Sequence, residues 1–301
     1  MTGDTMLATF AAPGKFYRGN LHTHSNRSDG ALEPQEVCRR YKEAGYDFLC
    51  LTDHFLESFD FPLTDTRPFR DETFTTIIGA ELHAPNTHLG ELWHILAVGL
   101  PLDFAATGAG ETGPQLARRA AEAGAFVGIA HPQWYGLNTE DGLSIDAAHA
   151  VEIYNHTCEM LSARPDGVAM LDHLLTEGRK LTGFAADDAH FKADDCFGGW
   201  VQVKAEELTP EALLAALKAG HYYASQGPEI LSAVIRDGKL HVETTPARSI
   251  VLAGRASFSE VVHGEGITSA TLDLSKFAGS WFRLVVTAAD GKRAWSQPEY
   301  L

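Results

Sequence analysis

Six histidines and three carboxylates recur in short clusters along the first two thirds of the chain, each at an end of an apolar, strand-like run. His22, His24 and Asp29 lie between Asn20 and Gly30, and His54 ends the run from Phe48. Glu81 closes Ile77 to Glu81, His94 lies in Trp93 to Val98, and His131 follows Val127 to Ala130. Asp188 and His190 follow Phe184 to Asp187. Imidazole and carboxylate are the ligands of divalent transition metals. Side chains two apart on a strand share a face, so His22 with His24, and Asp188 with His190, can each aim at one centre. The C-terminal ends of the strands of a closed parallel barrel converge on one mouth, where ligands from separate strands can meet. The pattern predicts a metalloenzyme. Its N and O donors suit Mn²⁺, Fe²⁺ or Zn²⁺. Cys38, Cys50, Cys158 and Cys196 form no C-x-x-C pair, which argues against a zinc-thiolate site or a disulfide framework.

Elements that could position these residues alternate in type from about residue 16 to about residue 228, as in α/β chains with a parallel sheet. Strand candidates are Phe48 to Leu51, Thr76 to Leu82, Ile95 to Val98, Phe126 to Ala130, Val151 to Tyr154, Leu181 to Ala185 and Trp200 to Val203. A helix from Pro34 places Val37, Tyr41 and Ala44 on one face before Gly45, and another runs from the Thr209 cap to Gly220. Gln115 to Ala123 and Gly167 to Glu177 also read as helical. After Gly227-Pro228 the pattern becomes short β runs, among them Leu231 to Arg236, Leu240 to Thr244, Ser249 to Ala253 and Trp281 to Thr287, separated by turn dipeptides. This divides the chain into residues 1–228 and a small all-β domain of residues 229–301, where His241 and His263 have no partner at ligand spacing. The stretch Phe55 to Thr75 has five phenylalanines and no steady period, and reads either as a lid or as a satellite core.

With 301 residues and 45% hydrophobic content, the chain has ample material for one large domain and a small one. No segment approaches a membrane span, and the first residues lack a basic region followed by an apolar one, so a cytoplasmic protein without membrane contact is expected. A formal charge of −16 argues against long nucleic acid, whose binding relies on Lys and Arg displacing counterions. The expected partner is a small anionic molecule, with assembly into a homo-oligomer left open.

The stretch His22-Thr-His-Ser25 through Ser28-Asp-Gly30, then Thr52-Asp-His54, Gly79-Ala-Glu81, His94, His131-Pro132 and Asp188-Ala-His190, resembles the PHP (polymerase and histidinol phosphatase) superfamily of metal-dependent phosphoesterases. The resemblance covers roughly residues 16 to 228. The tail ending in Asp290 to Pro298 is similar to the β extension of the CehA/McbA-like branch, some members of which hydrolyse aryl carbamates. It implies a distorted (β/α)7 barrel with two or three divalent ions. Carried over by residue, the first ion takes His22, His24, Glu81 and Asp188. Glu81 bridges to a second held by His94 and His131, and a third takes Asp29, His54 and His190. Ala186-Asp187-Asp188 departs from the family's usual Gly-Ser-Asp, and the spacing to His190 favours Asp188 over Asp187 as the ligand.

The resemblance implies a hydrolase of a small phosphate monoester or diester using a metal-bridging hydroxide, with Glu81, Asp188 and His190 as catalytic residues. The alternative is a carbamate, ester or amide hydrolase with the same centre. A 3′–5′ exonuclease on short oligonucleotides and a non-catalytic PHP-like module fit less well, because the charge is acidic and all nine ligands are present. Candidate substrate contacts are Ser25; Arg67, Arg70 and Lys192, which could clamp an anion or serve only as solvated surface charges; and Trp134 with Tyr135 after His131-Pro132, which could stack on an aromatic leaving group or simply pack. Glu152 and Asn155 join them, because a charge inside an apolar strand is costly unless it is used. His83, two residues after Glu81, shares its strand face but has no counterpart in the family pattern.

Overall fold

Residues 75–84 bury nearly every side chain, with Ile77, Gly79, Glu81 and His83 on one face and Thr76, Ile78, Ala80 and Leu82 on the other. A strand buried on both faces must be covered on both, as in a sheet flanked by helices or one closed on itself. A computed structural model describes residues 4–301. Its strands begin with β1 (Thr5–Met6), β2 (Lys15–Asn20), β3 (Phe48–Leu51), β4 (His54–Phe55), β5 (Thr75–Ala84), β6 (Trp93–Val98), β7 (Phe126–Ile129), β8 (Ala150–Asn155), β9 (Thr182–Ala186), β10 (Trp200–Ala205) and β11 (Tyr222–Ser225). Pairing runs β2, β3, β5, β6, β7, β8, β9. A parallel bridge from Ala189 back to Thr23 brings the end of the last strand to the end of the first. The expectation of a parallel sheet needs correction at β6, which is antiparallel to β5 and β7 because a short connection folds it back as a hairpin. Its reversal sets His94, near its start, on the same rim as the ends of its neighbours. The strand β10 is antiparallel too, pairing with β2 and β11.

Inside the ring, Tyr17, Phe48, Ile77, Leu96, Phe126 and Phe184 form an apolar plug with Leu213 and Leu217. The inward faces are therefore apolar at one end of the ring and carry metal-ligand side chains at the other. Gly79 allows this change of character on β5, since a Cβ there would lie 2.5 Å from the Ala97 carbonyl oxygen and the Cys50 sulfur.

The helices are α1 (Ala8–Ala11), α2 (Pro34–Glu43), α3 (Gly113–Glu122), α4 (Thr139–Ser144), α5 (His156–Ser162), α6 (Val168–Thr176) and α7 (Pro210–Ala219). Pro34 opens α2, whose Val37, Cys38 and Tyr41 are buried, and left-handed Gly45 follows its end. A reciprocal Thr112–Gln115 capping box starts α3 two residues before the expected Gln115. Thr209 caps α7 on the Ala212 N–H, and left-handed Gly220 closes it.

The tail comprises β12 (Ile230–Arg236), β13 (Lys239–Gly254), β14 (Ser259–Asp273), β15 (Trp281–Thr287), β16 (Arg293–Trp295) and β17 (Glu299–Tyr300), all antiparallel. The runs Leu240 to Thr244 and Ser249 to Ala253 are one bulged strand, with Pro246 at the register shift where it costs no ladder bond. From the amino terminus, β1 pairs with β12, and Leu7 and Phe10 enter the tail's core. Gln297 joins tail to ring by accepting from the Gly183 N–H at 2.7 Å and donating to its carbonyl at 2.9 Å. Among the described residues no helix is long and apolar enough to cross a membrane.

Candidate metal centre

All nine sequence-predicted ligands meet at one rim of the ring, and they meet around Glu81. This carboxylate is fully buried on β5, with Oε1 2.7 Å from His94 Nδ1, 3.1 Å from His131 Nε2 and 3.6 Å from His22 Nε2. Its Oε2 is 2.6 Å from His54 Nδ1 and 3.6 Å from His24 Nε2. The Asp188 Oδ1 atom lies 3.3 Å from His22 Nε2 and 2.9 Å from His24 Nε2. A third group forms where Asp29 Oδ1 faces His190 Nε2 at 3.2 Å and His54 Nε2 at 3.4 Å.

The separations of 3.1–3.6 Å fit divalent ions, while those of 2.6–2.9 Å are direct imidazole–carboxylate contacts. Donors about 2.1 Å from a common ion lie roughly 3.0 Å apart in octahedral and 3.4 Å apart in tetrahedral arrangement. His22 Nε2, Glu81 Oε2 and Asp29 Oδ1 are buried without a hydrogen-bond partner. Buried polar atoms are normally paired, so three unpaired ones, each within a different group of potential ligands, call for a partner that an ion could supply. Overlapping donor groups recur here: His24, Asp29, His54 and His190; His22, His24 and Asp188; and His54, Glu81, His83 and His94.

Glu152 and Asn155, at the end of β8, hold this arrangement from beneath. Glu152 is fully buried, sits 3.0 Å from His22 Nδ1 and accepts the His131 N–H at 2.7 Å. Asn155 donates to Glu152 and Asp188, both at 3.1 Å. A carboxylate on the far nitrogen of a ligand histidine fixes its tautomer and leaves Nε2 free for an ion. Two of the clustered side chains sit on left-handed backbone, His131 at φ 22° and Asp188 at φ 59°. Such backbone is held by its surroundings. The Asp188 N–H donates to the His22 carbonyl at 2.8 Å, and Thr157 Oγ1 donates to the Asp188 carbonyl at 2.7 Å.

Electrostatics separate the groups. Burial alone would raise Glu81, but the imidazoles of His94, His54 and His22 outweigh it and hold the carboxyl well below its ordinary range. Burial and the neighbouring His54 and His190 lower His24 to about 3. Burial also acts to lower His190, yet its bond to Asp29 and the charge of Asp188 raise it to about 9.

Asp187 is not turned to the centre. It accepts from the Tyr41 hydroxyl at 2.7 Å and from the N–H groups of Phe197, Gly198 and Gly199 at 2.9, 2.8 and 2.8 Å, so of the two adjacent aspartates it is Asp188 that faces the histidines. Of the substrate candidates, Trp134 and Lys192 line a cavity of about 290 Å³ that opens onto the donors. Ser25 does not reach it, being buried with both its N–H and hydroxyl on Asp53. Arg67 is exposed and paired with Asp65, and Arg70 donates to Thr76, so neither guanidinium is at the mouth. The stretch after His54 mainly packs: Phe55 and Phe74 are buried in core clusters.

Residues that sequence reasoning missed are Asp53, which gathers Ser25, Ser28 and Thr64, and Thr157, Cys158 and Leu161 of α5, which wall the cavity. Asp53 stands beside His54 in a quoted motif, a signal that was available. The seven-residue α5 is too short to show a period.

The PHP domain family matches residues 20–195, a span that contains all nine donors. No curated protein matches the chain. A two-domain protein from Bacteroides vulgatus, containing a predicted PHP-like metal-dependent phosphoesterase, superposes with a TM-score of 0.55 over 96% of this chain and 98% of its own at 17% identity. That likeness covers ring and tail together and concerns the fold. A predicted metal-dependent phosphoesterase from Bifidobacterium adolescentis gives 0.46 over 66% of this chain and 96% of its own at 12% identity. An amidohydrolase from Chromobacterium violaceum with bound sulfate and no metal gives 0.44 over 59% and 89% at 15%.

Proposed function

This chain belongs to the PHP domain family, and from that premise we propose that it hydrolyses a small phosphate monoester or diester with divalent ions held by the nine side chains around Glu81. The observation that carries the reading is the donor group of Asp29, His54 and His190 with His24, which shares His54 with the group around Glu81. Three divalent ions bring +6, and Asp29, Glu81 and Asp188 with one hydroxide return −4. The surplus of about +2 suits a phosphate dianion. Divalent ions in such a site supply hydroxide near neutral pH and Lewis acidity for attacking and leaving oxygens.

The chain's own residues do the rest. Glu81 and Asp188 present oxygens to more than one histidine group, and His190 borders the cavity, which makes these three the proposed catalytic residues. Lys192, with Nζ 3.3 Å from Asp29, adds a cation at the mouth for a peripheral phosphate oxygen. Trp134, 41% exposed, and Leu161, 65% exposed, give the leaving group an apolar wall. We read the strand ring as the distorted (β/α)7 barrel of the family and residues 229–301 as a domain bracing it.

The apolar wall also favours a second reading, a carbamate, ester or amide hydrolase of the CehA/McbA-like branch working with two ions in a nearly neutral site. Purified, metal-reconstituted protein assayed with p-nitrophenyl phosphate, bis-p-nitrophenyl phosphate, nucleotides and 1-naphthyl methylcarbamate separates the two. Phosphoester turnover with inhibition by inorganic phosphate is expected. Carbamate turnover without phosphate inhibition would select the second reading.

A further inference from the structure

His83 belongs to the centre by position but to none of the three expected ligand sets. It is buried on the inward face of β5, two residues after Glu81, and its register partner on β6 is the ligand His94. Its Nδ1 lies 2.9 Å from the Trp93 carbonyl oxygen, a group that can only accept. Nδ1 therefore carries the proton, and Nε2 is left with a free lone pair. That Nε2 is 2.9 Å from His54 Nδ1 in hydrogen-bond geometry, whereas Glu81 Oε2, at 2.6 Å from the same atom, lies off the direction of its N–H and is left without a geometrically acceptable hydrogen-bond partner. Two imidazole nitrogens at this distance need one proton between them, and it must come from His54.

We propose that His83 is a positioning residue for the centre, a relay from the Trp93 carbonyl through His83 that holds His54 as its Nδ1–H tautomer and so turns His54 Nε2 towards Asp29 and His190. Ligand histidines are commonly fixed by a carboxylate or carbonyl on the far nitrogen. Here a second imidazole takes that part, which leaves Glu81 Oε2 unengaged for an ion. The inference rests on the metal reading of Asp29, His54 and His190.

The test compares His83→Gln, whose amide oxygen can still accept from His54, with His83→Leu, which cannot. Zn²⁺ is titrated into chelator-stripped protein, and the tautomer of His54 is read by long-range ¹⁵N–¹H NMR correlations. Wild type and His83→Gln are expected to show the Nδ1–H form and to bind the third equivalent within about threefold of each other. His83→Leu should weaken that equivalent by about 10–100-fold and spare the other two. Unchanged third-site affinity in His83→Leu, an Nε2–H form of His54 in wild type, or equal damage from both substitutions would overturn the proposal, the last pointing to a direct ligand or a packing role. If wild type takes up no third ion, the reading of the centre fails. The His54 tautomer in metal-free protein at alkaline pH then still decides for or against the relay.

Discussion

Replacing Glu81 by Gln preserves volume and removes one negative charge from a fully buried position. The charge faces His54 at 2.6 Å, His94 at 2.7 Å, His131 at 3.1 Å and both His22 and His24 at 3.6 Å. Removing one partner from a buried charge interaction costs about 3–5 kcal/mol. At ~1.4 kcal/mol per tenfold, each ion that Glu81 serves should bind roughly 100- to 3,000-fold more weakly. The first ion would keep His22, His24 and Asp188, while the second would keep only His94 and His131. Metal content at micromolar metal should therefore fall by more than one equivalent, and turnover should be abolished. Elemental analysis after gel filtration gives the stoichiometry, calorimetric titration the affinities, and circular dichroism confirms that the fold remains. A variant that keeps its full metal complement and near-normal kcat would refute the shared role of Glu81.

Glu152→Gln should weaken metal binding by about 10–100-fold without removing a ligand, because Glu152 orients His22 and the His131 backbone from behind; unchanged titration curves would contradict this. Asp187→Ala should leave metal stoichiometry intact but lower stability by about 2–3 kcal/mol in urea unfolding, since the buried Tyr41 hydroxyl and Gly199 N–H and the half-buried Phe197 and Gly198 N–H groups lose their acceptor. In metal-free protein, burial opposes but Asp29 and Asp188 raise His190 from 6.5 to about 9. A pKa raised on folding favours the folded state while the group is protonated, so this stabilisation is complete below about pH 6.5 and is lost as pH rises through about 9. Urea midpoints across that range should show the loss in wild type and not in His190→Gln, and equal slopes in the two proteins would count against the His190–Asp29 pair.

The convergence of these nine side chains was legible because chemistry and periodicity coincide: histidines and acids at strand ends leave few other arrangements. Helices α2, opened by Pro34 and followed by Gly45, and α7, capped by Thr209 and closed by Gly220, were legible from their boundary residues. The reversal of β6 was not, since Trp93 to Val98 reads alike in either direction and only the pairing with β5 and β7 decides it. Glycines and polar residues concealed β14, and Pro246 split β13 into two apparent strands. Arg67 and Arg70 looked like anion clamps by residue type, but their partners Asp65 and Thr76 lie within six residues and hold them away from the mouth. The attachment of Leu7 and Phe10 to the tail's core joins residues more than 200 positions apart, which no local pattern reports.

Turnover of p-nitrophenyl phosphate, followed as Mn²⁺ or Zn²⁺ is titrated into chelator-stripped protein, tests the central claim most directly. The centre built on Glu81 predicts no hydrolysis without metal, activity that rises until the third donor group is filled, and inhibition by inorganic phosphate. Hydrolysis that persists without metal, or less than one bound equivalent with no activity at any metal concentration, would contradict it.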